Sequence, residues 1–156
     1  MLSEHRIEMK DVFDDAWQSI SALGLPIFYL IVLVLFAGVT PDFAFLKWLF
    51  VFALLEAIGA TIKLAYPTER PVKMKRNTFL QKYLASSFPS VHSARAATLL
   101  MLCFFTVPNN NVLLGMFLLL ALGIGYSRMY VKKHYLKDVV AGWLLGIGIG
   151  YLGGLW

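Results

Sequence analysis

Residues 127–138 bring together three side chains that could do chemistry: the fixed cation of Arg128, the imidazole of His134 and the carboxylate of Asp138. His134 and Asp138 are four residues apart, so on a helix they would share a face and could touch. A carboxylate in that position could accept the Nδ1–H of the imidazole and leave Nε2 free as a base or nucleophile. Taken alone, the stretch suits equally well a basic loop between two membrane helices, with the acid capping the second one.

The elements around this stretch are predicted to be membrane helices. Of the 156 residues, 59% are hydrophobic, whereas soluble domains average roughly 45–50%, and several runs are long enough to cross a bilayer. We therefore predict a single all-α domain over residues 1–156, a polytopic membrane helix bundle. Its bundle occupies residues 20–156, and an N-terminal amphipathic interfacial helix lies within residues 1–19. The predicted spans, about five, cover residues 20–39, 43–65, 89–107, 112–130 and 138–156, with a kink at Pro26 and a turn at residues 40–42.

The predicted topology collects nearly all cations at one membrane face. Of the 14 Lys and Arg residues, only Lys47 falls on the opposite side, and this bias favours a cytoplasmic location for the cationic face of an integral membrane protein. The long polar segment of residues 66–88 lies on the cationic face, and a short interfacial helix is predicted in its second half. Helix ends carrying cations and histidines thus converge at the depth of lipid head groups. Phosphate suits such a pocket, because Arg offers bidentate contacts and Lys a point charge.

The last predicted span carries a glycine every fourth residue. This pattern allows close helix approach in lipid, so we expect packing rather than chemistry, and a homo-oligomer could form through the same face. The glycines concerned are Gly142, Gly146, Gly150 and Gly154.

Three separated clusters in the cationic pocket form one pattern. They are Lys63-x6-Arg70-Pro71, Pro89-Ser90-Val91-His92 and Ser127-Arg128-x5-His134-x3-Asp138. Together they resemble the three signature motifs of the type 2 phosphatidic acid phosphatase (PAP2) superfamily, which includes membrane lipid phosphatases, glucose-6-phosphatase and vanadium haloperoxidases. The resemblance covers residues 63–138, in the right order and on the matching helix ends. It implies a PAP2/haloperoxidase-like helical core.

The histidines and the acid have physical roles that agree with the resemblance. His134 Nε2 could attack phosphorus while Asp138 orients the ring, and His92 could protonate the departing oxygen and then deprotonate water. The resemblance implies the same catalytic residues, a phosphohistidine intermediate, and neither metal nor other cofactor. Cys103 is the single cysteine, so no cysteine metal cluster is expected.

Phosphate binding is expected from cations and from a helix N-terminus. A helix opening at Ser90 offers free backbone N–H groups and a positive dipole end to an anion, and the cations could neutralise charge that develops in the transition state. The expected phosphate-binding residues are Lys63, Arg70, Ser90, Val91 and Arg128.

Some residues depart from the family pattern or lie beside it. Val91 stands where the most typical second motif has glycine, which allows a closer approach of backbone to ligand. Arg95 is either a further phosphate contact or a partner for Glu56 or Asp138, and we favour the structural role. Ser127, like Arg95 and Glu56, is expected behind the residues that touch phosphate.

The depth of the pocket in the membrane favours a lipid-linked phosphate over a sugar phosphate. Isoprenyl diphosphates and phosphates, phosphatidic acid and phosphatidylglycerophosphate all remain open as substrates. The expected partners are this lipid phosphate and the bilayer, with no nucleic acid. The alternative functions are a non-catalytic lipid-phosphate binding or transport protein and a packing subunit of a membrane complex, neither of which needs a histidine nucleophile with an orienting acid.

Overall fold

Seven helices form the regular structure of residues 9–38 and 44–156, the part of the chain that the computed structural model describes. Their bounds are α1 Met9–Ala22, α2 Pro26–Ala37, α3 Ala44–Ala65, α4 Phe79–Ala85, α5 Val91–Thr106, α6 Asn111–Tyr130 and α7 Leu136–Leu155. The all-α prediction is confirmed. The predicted turn at residues 40–42 and the first residues of the predicted interfacial helix lie outside the described ranges.

Helix α5 occupies the centre of the bundle. It packs against α3, α6 and α7, and most of its side chains are buried, with Ala94, Leu99 and Leu102 fully so. Leu55 of α3 belongs to the same apolar core. Because α5 begins at the second motif, its packing fixes where that motif lies.

The contact between α5 and α7 depends on glycine. A Cβ atom on Gly146 would collide with the carbonyl oxygen of Ala94, and one on Gly142 would collide with that of Ser90. Thr98 Oγ1 donates to the carbonyl of Gly146 at 3.1 Å across the same seam. The glycine face predicted for close packing is therefore occupied by α5 of the same chain. Its assignment to a homo-oligomer is corrected, since a buried face cannot receive a second copy.

Among the described residues, three helices are long and apolar enough to cross a membrane: α3, α6 and α7. Helix α5 is apolar but has 16 residues, and α2 has 12. At 1.5 Å per residue, α2 alone covers only about 18 Å of a hydrocarbon core of about 30 Å.

The first predicted span is interrupted. Helix α1 ends at Ala22, α2 begins at Pro26, and the two axes differ by 57°. Proline suits the first turn of a helix, where its missing N–H costs no hydrogen bond, but it cannot continue a preceding helix without losing one. The predicted kink at Pro26 is thus a break over residues 23–25 rather than a bend within one helix.

Helix α1 docks on the bundle instead of lying apart from it. The ring of Trp17 lies 4.7 Å from that of Tyr126 and 5.8 Å from that of Tyr130, centroid to centroid. Tyr130 also donates its hydroxyl to Asp14 at 2.6 Å, while Val12 and Phe13 remain exposed. The helix continues past residue 19 to Ala22 and packs on α6.

Gly146→Ala should destabilise the protein by roughly 1–3 kcal/mol, the usual effect of overpacking a tight contact. Gly148→Ala is the matched control, because a Cβ there meets nothing within 4 Å and alanine favours a helix by up to about 1 kcal/mol over glycine. Thermal unfolding in detergent micelles measures both. Equal unfolding midpoints for the two variants would contradict the assigned packing of α7 on α5.

Candidate active site

The carboxylate of Asp138 ties the start of α7 to the segment before α5. Asp138 is fully buried, and its Oδ2 accepts hydrogen bonds from the backbone N–H of Tyr135 at 2.9 Å and from the hydroxyl of Ser87 at 2.5 Å. Its backbone carbonyl accepts from the N–H of Ser90 at 2.9 Å. These bonds place the third motif directly against the second.

His134 lies in the turn before α7 rather than on the helix. Its backbone N–H donates to the carbonyl of Arg128 at 3.1 Å, and its side chain is almost fully buried. Nδ1 lies 3.5 Å from Ser87 Oγ and 3.8 Å from Asp138 Oδ2. The imidazole and the carboxylate thus lie within ion-pair distance, as the sequence predicted, but beyond the length of a good hydrogen bond, and Ser87 lies beside both.

Two cations of the first motif meet at a backbone carbonyl shortly before the second motif. Lys63, buried at the end of α3, donates from Nζ to the carbonyl of Ser86 at 2.7 Å. A terminal guanidinium nitrogen of Arg70 lies 3.5 Å from the same oxygen. The carbonyl of Ser86 thus holds the two cations close together, one residue before Ser87.

Thr68 connects the polar segment to the residues before α5. Its carbonyl accepts from the N–H of Ser87 at 3.1 Å, and its hydroxyl accepts from the N–H of Phe88 at 2.8 Å. The Thr68 carbonyl also accepts from Arg76 at 2.6 Å. These contacts position Arg70, two residues further along.

Arg128 is buried in the last turn of α6. It donates to the hydroxyl of Ser21, on α1, at 2.5 Å. The Nε atoms of Arg128 and Arg70 are buried without a hydrogen-bond partner among the residues described. Buried guanidinium groups need anionic partners, and a phosphate offers the geometry they bind best.

The second motif begins α5 with a serine cap and a tightly packed valine. Ser90 Oγ accepts from the hydroxyl of Ser93 at 2.9 Å and from its N–H at 3.5 Å. Val91 is buried, and its Cγ2 would lie only 3.1 Å from a Cβ on Gly59. Val91, which stands where the typical second motif has glycine, is therefore accommodated because α3 has a glycine, Gly59, at the point of contact.

The half-buried ring of His92 lies against the backbone at Gly24, where a Cβ atom would overlap it.

The residues predicted to lie behind the phosphate site, Arg95, Glu56 and Ser127, all make contacts that stabilise the fold. Arg95 forms a bidentate ion pair with Glu56 and donates to the carbonyl of Gly24 at 2.7 Å, which is one of the two pairings considered from the sequence. The hydroxyl of Ser127 donates to Ile124 of its own helix at 2.7 Å.

A cavity of about 1110 Å³ opens beside these residues. Arg70, His92 and Arg128 line it. The other predicted site residues are not among its lining residues: Lys63, Ser90, Val91, His134 and Asp138. His134 is connected to the lining through its backbone N–H, which donates to the carbonyl of Arg128. Burial lowers the pKa of the His134 imidazole to about 4, although Asp138 opposes the shift. Burial also lowers the pKa of Arg70. At neutral pH His134 is therefore an unprotonated base.

Sequence reasoning missed Thr68, Ser86, Ser87 and Ser21. The pair Ser86-Ser87 lies in a polar segment and is separated from the second motif by Phe88, which is a weak signal for buried hydroxyls. Ser21 has no signal in the sequence, because its partner, Arg128, is 107 residues away. Within residues 9–38 and 44–156, no three His, Cys, Asp or Glu side chains gather as metal ligands would.

A comparison with protein families decides the affiliation of the chain. Residues 44–156 match the model of the PAP2 superfamily. The chain belongs to the PAP2 superfamily. The match begins with α3, so α1 and α2 lie outside it, and with three apolar helices this PAP2 chain is a membrane protein.

Solved structures share the PAP2 fold of this chain. The crystal structure of LpxE from Aquifex aeolicus matches 93% of this chain and 87% of that one, with a TM-score of 0.78 at 23% identity. The PAP2-type phosphatidylglycerolphosphate phosphatase of Bacillus subtilis matches 91% and 75%, with a TM-score of 0.76 at 24% identity. A curated relative, an undecaprenyl-diphosphatase of Sulfolobus acidocaldarius, is 34% identical over 103 residues, 65% of this chain and 49% of the relative. The chain thus spans about half the length of that relative.

Proposed function

We propose that this PAP2 chain is a membrane lipid phosphatase that hydrolyses a phosphomonoester or diphosphate through a phosphohistidine intermediate. The observation that carries the proposal is the buried His134, whose Nδ1 faces Ser87 and Asp138, together with two arginines whose Nε atoms are buried without a hydrogen-bond partner among the residues described. A protein that only binds phosphate needs the cations but not this orientation of an imidazole.

The cations bind the phosphoryl group before reaction. Arg70 and Arg128 line the cavity, and Lys63 lies within reach of the same carbonyl as Arg70. Their charges favour the phosphoryl oxygens and stabilise the negative charge that grows in the transition state. Ser90 and the N–H of Val91 add the positive end of the α5 dipole.

In the first step, the Nε2 lone pair of His134 attacks phosphorus. A bond forms between Nε2 and phosphorus as the bond from phosphorus to the leaving oxygen breaks, and that oxygen takes a proton from His92. Asp138, with Ser87, stabilises the charge on the phosphorylated ring through its Nδ1 side.

In the second step, water replaces the histidine on phosphorus. His92, now unprotonated, accepts a proton from water as its oxygen bonds to phosphorus, and the bond from phosphorus to Nε2 breaks. Orthophosphate is released, and both histidines return to their starting states. No step in this sequence requires a metal ion.

The lipid substrate class follows from the location of the cavity. It opens beside a membrane helix bundle, among exposed apolar side chains such as Leu84 and Met74. The names of two similar proteins, an undecaprenyl-diphosphatase and a phosphatidylglycerolphosphate phosphatase, both refer to substrates in which a lipid carries the phosphate.

His134→Ala should lower orthophosphate release from lipid phosphates in the presence of EDTA by roughly three orders of magnitude or more, because it removes the nucleophile. His92→Ala should lower it by roughly 10²–10⁴, the usual contribution of a general acid and base. Lys82→Ala, exposed on α4, is the control. Full activity in His134→Ala would exclude the proposed mechanism, and loss of the parent activity in EDTA would show a metal requirement.

Ser87→Ala should lower kcat roughly 10- to 100-fold, the usual effect of removing a group that orients a reactive side chain, with little change in KM. Ser87→Thr, which keeps the hydroxyl, should restore most of the loss. Ser19→Ala serves as the control, since that exposed hydroxyl donates to the carbonyl of Asp15 within its own helix. An equal loss in Ser87→Ala and Ser87→Thr would indicate a packing role instead of a positioning role.

The proposed topology has five crossings, formed by the α1–α2 pair, α3, α5, α6 and α7, with the site on the cytoplasmic side. The distribution of Lys and Arg supports this orientation. Lys47→Cys should react with an impermeant maleimide added outside intact cells, and Lys82→Cys should not. The reverse pattern would place the site outside.

A further inference from the structure

The break between α1 and α2, residues 23–25, lies against the first turn of α5, which carries His92. It lies outside the three motifs and outside the part of the chain that the family model matches. Gly24 is buried, and its backbone contacts the ring of His92 and the guanidinium of Arg95. His92 and Arg95 are three residues apart, so they share one face of α5. The break thus touches the second motif directly.

The carbonyl of Gly24 is available to Arg95 because the helix ends before it can use this acceptor. In a continuous helix the carbonyl would accept the N–H of Phe28, four residues further along. Here the N–H of Phe28 donates to the carbonyl of Leu25 at 3.2 Å, since Leu25 is extended before Pro26, with φ −75° and ψ 149°. The break therefore leaves an acceptor that a terminal nitrogen of Arg95 reaches at 2.7 Å.

Arg95 holds this carbonyl from a fixed position. Its side chain is almost fully buried, and its Nε and other terminal nitrogen donate to the two carboxylate oxygens of Glu56 on α3. A bidentate pair fixes the plane of a guanidinium as well as its position, and the remaining nitrogen is directed at Gly24. One buried group thus connects α3, α5 and the break.

The absence of a side chain at Gly24 lets the ring of His92 occupy its place. A Cβ atom on Gly24 would lie 2.8 Å from both Cβ and Cγ of His92 and nearer still to Cδ2. Because Cβ and Cγ form the base of the side chain, rotating the ring about its bond to Cβ cannot relieve this overlap. The ring, which also lines the cavity, is therefore held against backbone on one side.

The last turn of α1 makes a second contact with the site. The hydroxyl of Ser21, which is buried, accepts from Arg128 at 2.5 Å. The rings of Trp17 and Tyr126 also hold α1 on α6. Two arginines therefore anchor this region, one from α5 at the break and one from α6 just before it.

We propose that Gly24 and Arg95 are positioning residues for His92: Arg95 fixes the break between α1 and α2, and the break holds the imidazole in place for proton transfer. This inference rests on the proposed function. A general acid must lie roughly 2.6–3.2 Å from the oxygen that it protonates, and a misplacement of about 1 Å can cost roughly 100-fold in rate. Gly24 and Arg95 act through the imidazole, which is the group that meets the substrate.

The test varies the leaving group, because a general acid matters only where the departing oxygen needs a proton. Octyl phosphate expels an alkoxide, which must be protonated, whereas para-nitrophenyl phosphate expels a stable phenolate. Gly24→Ala should lower kcat/KM roughly 10- to 100-fold for octyl phosphate and less than roughly threefold for para-nitrophenyl phosphate. The parameter is kcat/KM because it covers the steps up to loss of the leaving group and omits the later attack of water.

Gly123→Ala is the matched control. A Cβ atom there would meet Ile20 of α1 at 3.8 Å, an ordinary contact, so both values of kcat/KM should stay near those of the parent. This control adds the same methyl group to a glycine that faces α1, away from His92.

Arg95→Lys tests the assignment without overpacking Gly24. An ammonium group keeps the charge beside Glu56 but cannot reproduce the planar fork that joins Glu56 to the carbonyl of Gly24. A loss confined to octyl phosphate in either folded variant, Gly24→Ala or Arg95→Lys, supports the positioning role. Equal losses for the two phosphates, or no loss for either, would overturn it.

If the parent does not hydrolyse octyl phosphate, the proposed function fails for alkyl phosphates, and the position of the ring is measured directly. In protein labelled with ¹³C at histidine, the Cδ2–H resonance of His92 is assigned by its absence in His92→Ala. It should shift in Gly24→Ala and stay unchanged in Gly123→Ala. The same shift in both glycine variants, or in neither, would refute the support of the ring by Gly24.

Discussion

The buried carboxylate of Asp138 is the constraint on which the arrangement of the site depends. An ion out of water costs several kcal/mol unless hydrogen bonds and opposite charges compensate it. Its Oδ2 receives the hydroxyl of Ser87 and the N–H of Tyr135, and its carbonyl receives the N–H of Ser90. The hydrogen bonds of this one residue therefore join the start of α7 to the residues before α5, with the turn that carries His134 beside them, while its Oδ1 is buried without a partner among the residues described.

That cluster requires two helices to approach more closely than most side chains allow. Gly142 lies against the carbonyl of Ser90, and Gly146 lies against that of Ala94. In a bilayer, lipid tails are as apolar as leucine, so such close backbone contact is a main source of helix association. The close packing of α7 on α5 therefore also places Asp138, at the start of α7, beside Ser90, at the start of α5.

The cations of the site are held by backbone carbonyls and hydroxyls rather than by acids. Lys63 and Arg70 meet at the carbonyl of Ser86, and Arg128 meets the hydroxyl of Ser21. Neutral acceptors orient a cation without neutralising it, so its charge remains available to an anionic ligand. Arg95 shows the contrast, because its bidentate pair with Glu56 commits that charge to structure.

Much of the fold could be predicted from apolar runs and helix signals, because lipid forces the backbone of each span into a helix. Helices α3, α6 and α7 begin and end within two residues of the predicted spans. The break before Pro26 could not be predicted from the sequence, because a proline can either kink a helix or end it. The motifs and the topology predicted that the charged residues gather at one end of the bundle. The position of Ser87 beside His134 and Asp138 could not be predicted, because it depends on where α7 begins. The partner of the glycine face was likewise beyond sequence reasoning, since the same spacing serves contacts within a chain and between chains.

Identification of the phosphorylated atom would test the central claim most directly. Brief reaction with a ³²P-labelled lipid phosphate, alkaline quenching and peptide mapping should yield phosphohistidine at residue 134, substituted on Nε2, because Nδ1 is turned toward Ser87 and Asp138. Label on Nδ1 or on another residue would contradict the account. So would turnover that proceeds with no acid-labile phosphoprotein formed at any time.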